Sequence, residues 1–205
     1  MQCRCLAFGM DLAERYSHDR YVFREKFFKI FGNRFHIYDP GDELVLYARM
    51  KGLKIREDLR LFTSEAMDEE VLRIQTKSIF DISGTYGIYD PVADQTLGAL
   101  KRRGLKSFFK DEWLILDAEG EEVGVIKEDS AIKAALRRIH EATALLIKQS
   151  YHVEMDGERV AQISRGFNPL VKRTFLDLSA DTEHRLDPRV ALAATLLLAA
   201  VEVRQ

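Results

Sequence analysis

The chain has 205 residues, with 31 lysines and arginines against 33 aspartates and glutamates and a formal charge of −2 at pH 7. This length is ordinary for a barrel or a sandwich that forms one domain. A nearly neutral, mixed-sign surface has no overall attraction for nucleic acid, so we expect no nucleic-acid partner. Both cysteines lie within the first five residues, so no disulfide can cross-link the body of the protein. This cysteine usage indicates a reducing compartment, and we expect a cytoplasmic protein.

Residues 20–180 alternate apolar and aromatic residues with charged ones, and turn signals interrupt the alternation repeatedly. An Ile-Tyr-Asp-Pro tetrapeptide occurs at 37–40 and again at 88–91, and a Gly-Leu-Lys tripeptide occurs at 52–54 and again at 104–106. Recurring strand-turn-strand units predict a sheet built from successive antiparallel hairpins. Because their period is too irregular for a propeller, closure into one barrel is the better interpretation.

One segment of the body has helical spacing instead. Apolar residues follow one another at 132, 135, 136 and 139, and Asp129 is a suitable N-cap. Because only one face of this segment is apolar, we expect an amphipathic helix at about 129–140 on the outside of the barrel.

The last part of the chain is a second helix signal. Residues 190–201 carry a single polar side chain, Thr195, and Asp187 and Pro188 are typical of the N-cap and the first helical position. The apolar run would cover about 18 Å of a hydrocarbon layer of about 30 Å, so we expect no transmembrane span. A helix that is apolar on every face must be surrounded on every face. The sequence therefore predicts a helix over residues 189–203 in the protein's own centre.

Few architectures combine an all-β body with one wholly apolar helix. An eight-stranded barrel is filled by its own side chains, whereas a larger barrel could enclose a helix about 10 Å across. The predicted fold is mainly β, a single closed antiparallel barrel of about eleven or twelve strands around the C-terminal helix. We expect residues 1–20 to form a flexible N-terminal tail and residues 21–205 to form the barrel domain.

Several short motifs, in their order, resemble the LURP-one-related family. They are the segment at 21–26, the two Ile-Tyr-Asp-Pro turns, Asp129-Ser130 before Arg137-Arg138, Phe167-Asn168-Pro169, and Leu186-Asp187-Pro188-Arg189 before the apolar helix. The resemblance extends over residues 21–204. That family is grouped with the phospholipid scramblases and the Tubby C-terminal domain, so the resemblance implies a twelve-stranded barrel around a central hydrophobic helix.

The resemblance also implies functions for comparison. Tubby-like domains bind phosphoinositides, scramblases move lipids in response to calcium, and the LURP-one-related family has no established enzyme activity. Residues 177–183 correspond to the calcium-binding stretch of scramblases, but Thr182 replaces the turn-forming glycine and Pro188 replaces the bidentate glutamate. We therefore expect a solvated turn there and no metal site.

Signatures of catalysis are missing from the sequence. It contains no Gly-x-Ser-x-Gly elbow, no glycine-rich phosphate loop and no His-Glu-x-x-His motif, and its five histidines are scattered. We predict no catalytic residues, no cofactor and no enzyme activity.

Two basic segments surround the repeated Gly-Leu-Lys tripeptides. We predict that they bind a lipid surface or another anion through one set of cations: Lys51, Lys54, Lys101, Arg102, Arg103 and Lys106. Arg49, Arg56 and Arg60 lie beside the first segment, and Phe108 and Phe109 lie beside the second. The alternative is two ordinary solvated hairpins, the second partly neutralised by Asp111 and Glu112.

The leading hypothesis is a non-enzymatic binding module that contacts anionic phospholipids from the cytoplasm, peripherally at the membrane. The first alternative is an intracellular scaffold that binds a protein partner. The second alternative is a scramblase-like lipid mover, which would require the C-terminal helix to enter the bilayer.

Overall fold

The structure, a computed structural model, describes residues 10–28, 32–50, 59–76, 84–103, 112–129, 150–166 and 172–201. Two helices are present in these ranges, α1 (Leu12–Arg15) and α2 (Pro188–Val201). The strands are β1 (Arg20–Phe28), β2 (Gly32–Tyr38), β3 (Leu44–Met50), β4 (Leu59–Phe62), β5 (Glu70–Gln75), β6 (Thr85–Asp90), β7 (Gln95–Arg102), β8 (Glu112–Leu116), β9 (Glu122–Glu128), β10 (Ser150–Met155), β11 (Glu158–Gly166) and β12 (Lys172–Asp177). Apart from Asp129, the predicted outer helix at 129–140 lies outside the described residues.

The twelve strands form one closed antiparallel barrel. Each strand pairs with its neighbours in sequence, and β1 closes the ring by pairing with β12. The predicted fold class is therefore confirmed. Because all odd-numbered strands run in one direction, every connection that follows an odd-numbered strand leaves from one end of the barrel, which we call the basic end. Connections that follow even-numbered strands leave from the other end, the Asp-turn end.

Helix α2 fills the barrel. Every residue from Val190 to Ala200 is at most 6% exposed, and the helix contacts β5, β7 and β12. In the ring, four strands separate β12 from β7 on one side and four separate it from β5 on the other, so the helix passes through the middle. This confirms the predicted central helix. Among the described residues, none of the helices is both long and apolar enough for a membrane crossing.

The start of α2 agrees with its sequence signals. The Asp187 side chain accepts a hydrogen bond from the Arg189 amide at 2.8 Å, and its carbonyl accepts one from the Ala191 amide at 3.0 Å. Such a cap satisfies amides that the first turn of a helix leaves without intrahelical partners. The Thr195 hydroxyl donates to the Ala191 carbonyl at 2.8 Å, so the one polar group inside the helix is also satisfied.

The repeated tetrapeptides lead into hairpin turns at the Asp-turn end, after β2 and at the end of β6. A β-bulge occurs between Ile37 and Tyr38 in the first copy and between Ile88 and Tyr89 in the second. In each copy one carboxylate oxygen of the aspartate accepts a hydrogen bond from the turn backbone. Asp39 binds the Glu43 amide at 2.8 Å, and Asp90 binds the amides of Val92 and Ala93 at 2.9 and 3.1 Å. A short carboxylate that binds nearby amides is what such a turn requires.

Residues 10–19 lie against the Asp-turn end. Asp11 caps α1 by accepting a hydrogen bond from the Glu14 amide at 2.7 Å. The Arg15 guanidinium donates to the backbone carbonyls of Val45 and Thr63, at the ends of β3 and β4. Contacts of this kind hold the described part of the N-terminal segment to the barrel. The division of the chain into a tail and a barrel domain stays a prediction.

Candidate anion-binding surface

The two predicted basic segments begin at the same end of the barrel. The first follows β3 and the second includes the end of β7, and both strands are odd-numbered. Three strands separate β3 from β7 in the ring. Lys51, Lys54 and Lys106 lie outside the described residues, whereas Lys101, Arg102 and Arg103 are placed. The described ends of β3 and β7 therefore lie at one rim of the barrel, and binding by the predicted residues stays a prediction.

The placed residues of the second segment differ in their surroundings. Lys101 pairs with Thr85 and Leu114 in the sheet and is half-buried. Arg102 is exposed at the rim. The Arg103 amide donates to the Glu112 carbonyl at 2.9 Å, and its guanidinium lies 3.6 Å from the Glu112 carboxylate. Glu112 therefore offsets part of the charge of this segment, although the Arg103 side chain is 62% exposed.

A row of arginines crosses the outer wall near the first basic segment. The strand register pairs Arg34 of β2 with Arg49 of β3, Arg49 with Arg60 of β4, and Arg60 with Arg73 of β5. Lys26 of β1 pairs with Arg34 and extends the row by one strand. We call Arg34, Arg49, Arg60 and Arg73 the arginine ladder.

The ladder faces outward. The neighbouring row, one residue away on each strand, consists of Phe35, Ala48, Leu61 and Leu72, which pair with one another and are at most 1% exposed. Since successive residues of a strand point to opposite faces, the core position of that row places the arginines on the outside. Arg60 is exposed, and the other three are half-buried.

Among the described carboxylates, Glu70 contacts the ladder at its β5 side. Glu70 lies 3.2 Å from Arg60 and 2.6 Å from Arg73. In the centre of the ladder, the Nε atom of Arg49 is buried without a hydrogen-bond partner among the described residues. The next outward-facing row differs, because Arg24 there contacts Asp42, and His36 lies 2.9 Å from Glu65. Among the described residues, no carboxylate lies within ion-pair distance of Arg49 itself.

At the basic end, a polar side chain of the barrel contacts the last turn of α2. Arg165 of β11 lies 3.4 Å from the carbonyl oxygens of both Leu198 and Ala199 and donates to them. These carbonyls belong to the last turn of α2 as described, and a cation near the C-terminal end of a helix interacts favourably with the helix dipole. Burial raises the pKa of Glu25, which faces this region, against the opposing effect of Lys172 and Arg165.

The Asp-turn end anchors the other end of α2. The Arg189 guanidinium lies 2.6 Å from Asp90 and 2.6 Å from Asp187. The hydrogen bond to Asp187 is the largest influence that raises the pKa of Arg189. Burial, with Asp90 nearby, raises the pKa of Tyr16. This arrangement links the second Ile-Tyr-Asp-Pro turn to the Leu-Asp-Pro-Arg motif that precedes the helix.

A second charged cluster lies on the wall formed by β9 and β10. The His152 ring nitrogens lie 2.6 Å from Asp129 and 2.9 Å from Glu154. Lys127 also contacts Glu154, and its hydrogen bond lowers the pKa of that carboxyl group. His152 is 7% exposed, so these contacts satisfy polar atoms that the fold buries.

The acidic stretch at 177–183 forms turn hydrogen bonds. Asp177 accepts one from the Ser179 amide at 3.0 Å, and Asp181 accepts one from each of the Arg185 and Leu186 amides at 2.9 and 2.8 Å. Partial burial raises the pKa of Asp177, but the hydrogen bonds from Ser179 together with the nearby Arg20 guanidinium outweigh it and leave this pKa lowered. Within the ranges that the structure describes, no three His, Cys, Asp or Glu residues are grouped as metal ligands would be.

Sequence patterns reveal only half of the ladder. Arg49 and Arg60 flank the first basic segment and were named with it. Arg34 and Arg73 are each the single lysine or arginine in the sequence of their strand, so no local cluster marks them. Their alignment depends on the register of four strands. The signal that could have found them is the presence of an arginine in each of four consecutive strand segments.

The architecture defines the class of protein, a closed antiparallel barrel of the Tubby-like type around its own C-terminal helix. Residues 44–199 match the LURP-one-related (LOR) family, and the chain belongs to this family. The X-ray structure of an Arabidopsis thaliana protein, AT5G01750, is similar with a TM-score of 0.50 and 14% sequence identity, covering 96% of this chain and 98% of that one. At this identity the similarity shows the fold alone. A comparison with curated proteins gives no match.

Proposed function

We propose that this LOR barrel is a non-enzymatic module that binds anionic phospholipid surfaces reversibly through its basic end. The supporting observation is that both basic segments begin at the same end of the barrel, at β3 and β7. Cations on one rim can approach a flat surface together, whereas cations at opposite ends cannot.

The expected energy is suitable for reversible contact. Each lysine or arginine near an anionic membrane contributes about 1 kcal/mol. The predicted set of Lys51, Lys54, Lys101, Arg102, Arg103 and Lys106 would therefore contribute several kcal/mol, reduced where Glu112 offsets Arg103. Such an attraction weakens as salt shortens the screening length from about 10 Å at 0.1 M to about 3 Å at 1 M.

Co-sedimentation with vesicles tests the proposal. The full chain is mixed with vesicles of phosphatidylcholine alone, or with phosphatidylserine or phosphatidylinositol 4,5-bisphosphate added, at low and high salt. We expect pelleting that requires the anionic lipid and falls with salt. The double variant Arg102→Gln/Lys106→Gln should pellet less than the unmodified chain.

A matched control is available at the opposite end of the barrel. Arg20 and Arg159 are the first or second residues of odd-numbered strands, and both are exposed. The variant Arg20→Gln/Arg159→Gln removes the same charge and should pellet like the unmodified chain. Equal losses in the two double variants, or pelleting that ignores lipid charge, would contradict the proposal.

A protein-interaction role is the alternative to lipid binding, and changes in the basic segments test it as well. Capture of a defined partner by the chain, retained when both Gly-Leu-Lys segments are changed, would favour a scaffold over a lipid-binding module.

A scramblase-like role is disfavoured by the position of α2. Its residues from Val190 to Ala200 form the centre of the core, so transfer of the helix into a bilayer would empty the barrel. Extraction of the protein from cells without detergent would count further against this role.

A further inference from the structure

We propose that the arginine ladder on the outer wall is a binding site for a small ligand that carries several phosphate groups. This site involves strands β2–β5 and does not depend on the basic rim segments assigned above. It therefore goes beyond the proposed membrane contact, and either function can exist without the other.

The geometry calls for more than one anionic group. Residues directly opposite each other on antiparallel strands have Cα atoms about 4.5–5.5 Å apart, so four arginines in register span about 15 Å. A single phosphate is smaller than this row and can contact only neighbouring members. A compact polyphosphorylated molecule can place separate phosphates on Arg34, Arg49 and Arg60 together.

Electrostatics provides the driving force. Like charges directly opposite each other on paired strands destabilise a sheet, and the ladder contains three such arginine pairs in succession. Glu70 contacts the pair Arg60 and Arg73. An anion at Arg49 would relieve the repulsion there and could accept charged hydrogen bonds from its guanidinium group.

The residue type favours phosphate over other anions. The guanidinium group is planar, stays charged and presents its donors as a fork that matches phosphate oxygens bidentately. Arg49 is half-buried, and partial removal from water strengthens a charged hydrogen bond. A long nucleic acid is a poorer fit, because the chain is slightly acidic overall and the row ends after about 15 Å.

The test uses the full chain and inositol hexakisphosphate as the probe, with inorganic phosphate for comparison. Binding is measured by calorimetry and by the shift of the thermal unfolding midpoint. We expect inositol hexakisphosphate to raise the midpoint of the unmodified chain, because a ligand that binds only the folded state stabilises it. Inorganic phosphate should bind at least about ten times more weakly, because it forms fewer charged hydrogen bonds.

Variants of Arg49, in the centre of the ladder, distinguish a specific binding site from a general effect of positive charge. Arg49→Gln should weaken inositol hexakisphosphate binding by at least about tenfold, and Arg49→Lys should lie between, because it keeps the charge without the fork. Arg159→Gln removes the same charge from β11 and should bind like the unmodified chain. The unfolding midpoints of these variants without the probe show whether each one folds.

Several outcomes would overturn the proposal. They are no shift with the probe, equal binding by the Arg49→Gln and Arg159→Gln variants, or tighter Arg49-dependent binding of a single-stranded oligonucleotide. Vesicles containing phosphatidylinositol 4,5-bisphosphate distinguish the sources of a phosphorylated ligand. Competition between vesicles and probe that depends on Arg49 indicates a lipid headgroup, and probe binding without such competition indicates a free molecule. Loss of vesicle binding in the Arg102→Gln/Lys106→Gln variant alone concerns the rim and leaves the ladder result unchanged.

Discussion

Replacement of Asp90 by alanine tests how the barrel holds its central helix. The Asp90 side chain is 6% exposed and has two roles. One oxygen accepts hydrogen bonds from the amides of Val92 and Ala93 at 2.9 and 3.1 Å, and the other lies 2.6 Å from the Arg189 guanidinium. The alanine variant loses both the turn and the anchor of α2.

The expected cost follows from these contacts. Loss of a side chain that caps backbone amides costs about 0.5–2 kcal/mol, and hydrogen bonds to charged groups contribute about 1.5–3 kcal/mol. Arg189 keeps Asp187 as a partner at 2.6 Å, so its charge is not left isolated and the second contribution lies near its lower limit. We expect Asp90→Ala to lower the free energy of unfolding by about 2–4 kcal/mol in total. Asp90→Asn keeps an oxygen for the turn and should cost about half as much.

Asp39 provides a matched control, because it occupies the same position in the first tetrapeptide. Its carboxylate accepts a hydrogen bond from the Glu43 amide at 2.8 Å, and among the described residues its ion-pair contact is to His18, whose Nε2 atom lies 3.9 Å away. Asp39→Ala should therefore cost only the turn contribution of about 0.5–2 kcal/mol.

Urea unfolding followed by tryptophan fluorescence measures these free energies. Trp113 is the only tryptophan of the chain and is 3% exposed, so its emission reports opening of the barrel. If Asp90→Ala cost no more than Asp39→Ala, the contact with Arg189 would not anchor the helix and the reasoning would be refuted.

Three further predictions use the same unfolding assay. Leu192→Ala should lower the free energy of unfolding by about 2–5 kcal/mol, because Leu192 lies in α2 and is 0% exposed. Val92→Ala, at a residue that is 55% exposed, should change it by about 0.5 kcal/mol or less. Equal effects of the two variants would contradict the central position of α2. Gly98→Ala should destabilise far more than Gly84→Ala. A Cβ atom on Gly98 would lie 2.2 Å from a backbone oxygen, whereas Gly84, with a φ of +84°, has nothing within 4 Å of that position and should cost only about 1–2 kcal/mol of conformational strain. Glu25→Gln should stabilise the protein at pH 7. A raised carboxyl pKa means that the folded state resists ionisation, so stability falls as pH rises above the unfolded pKa of 4.5. The difference in stability between the variant and the unmodified chain should vanish below about pH 4. A difference that grew below this pH would contradict the predicted sign.

Local signals predicted the parts of the fold that depend on neighbouring residues. Asp187 and Pro188 marked the start of α2 because capping involves only the next few amides. The repeated tetrapeptides marked hairpin turns for the same reason, since Asp39 and Asp90 bind amides within four residues of themselves.

Long-range pairs were not predictable in this way. Asp90 and Arg189 are 99 residues apart, and no periodicity connects them. The arginine ladder depends on strand register, and the bulge between Leu61 and Phe62 lies next to the ladder pairing of β4 with β5. A shift of one residue would turn Arg60 toward the core, because side chains alternate along a strand. The site therefore became visible only when the register was known.

The Asp-turn end of the barrel and the arginine ladder on its outer wall depend on different residues. At the Asp-turn end, Asp39 and Asp90 are occupied by turn amides, and Asp90 also holds the start of α2. The cations of the ladder make no comparable contribution to the core, since Arg49 lies on the outer face and repels its neighbours across the sheet. Removal of Arg49 should therefore leave the unfolding midpoint unchanged or raise it, whereas removal of Asp90 should lower it. Because stability and anion binding depend on different residues, each can be lost without the other, and a loss of binding in Arg49→Gln reports on recognition rather than on folding.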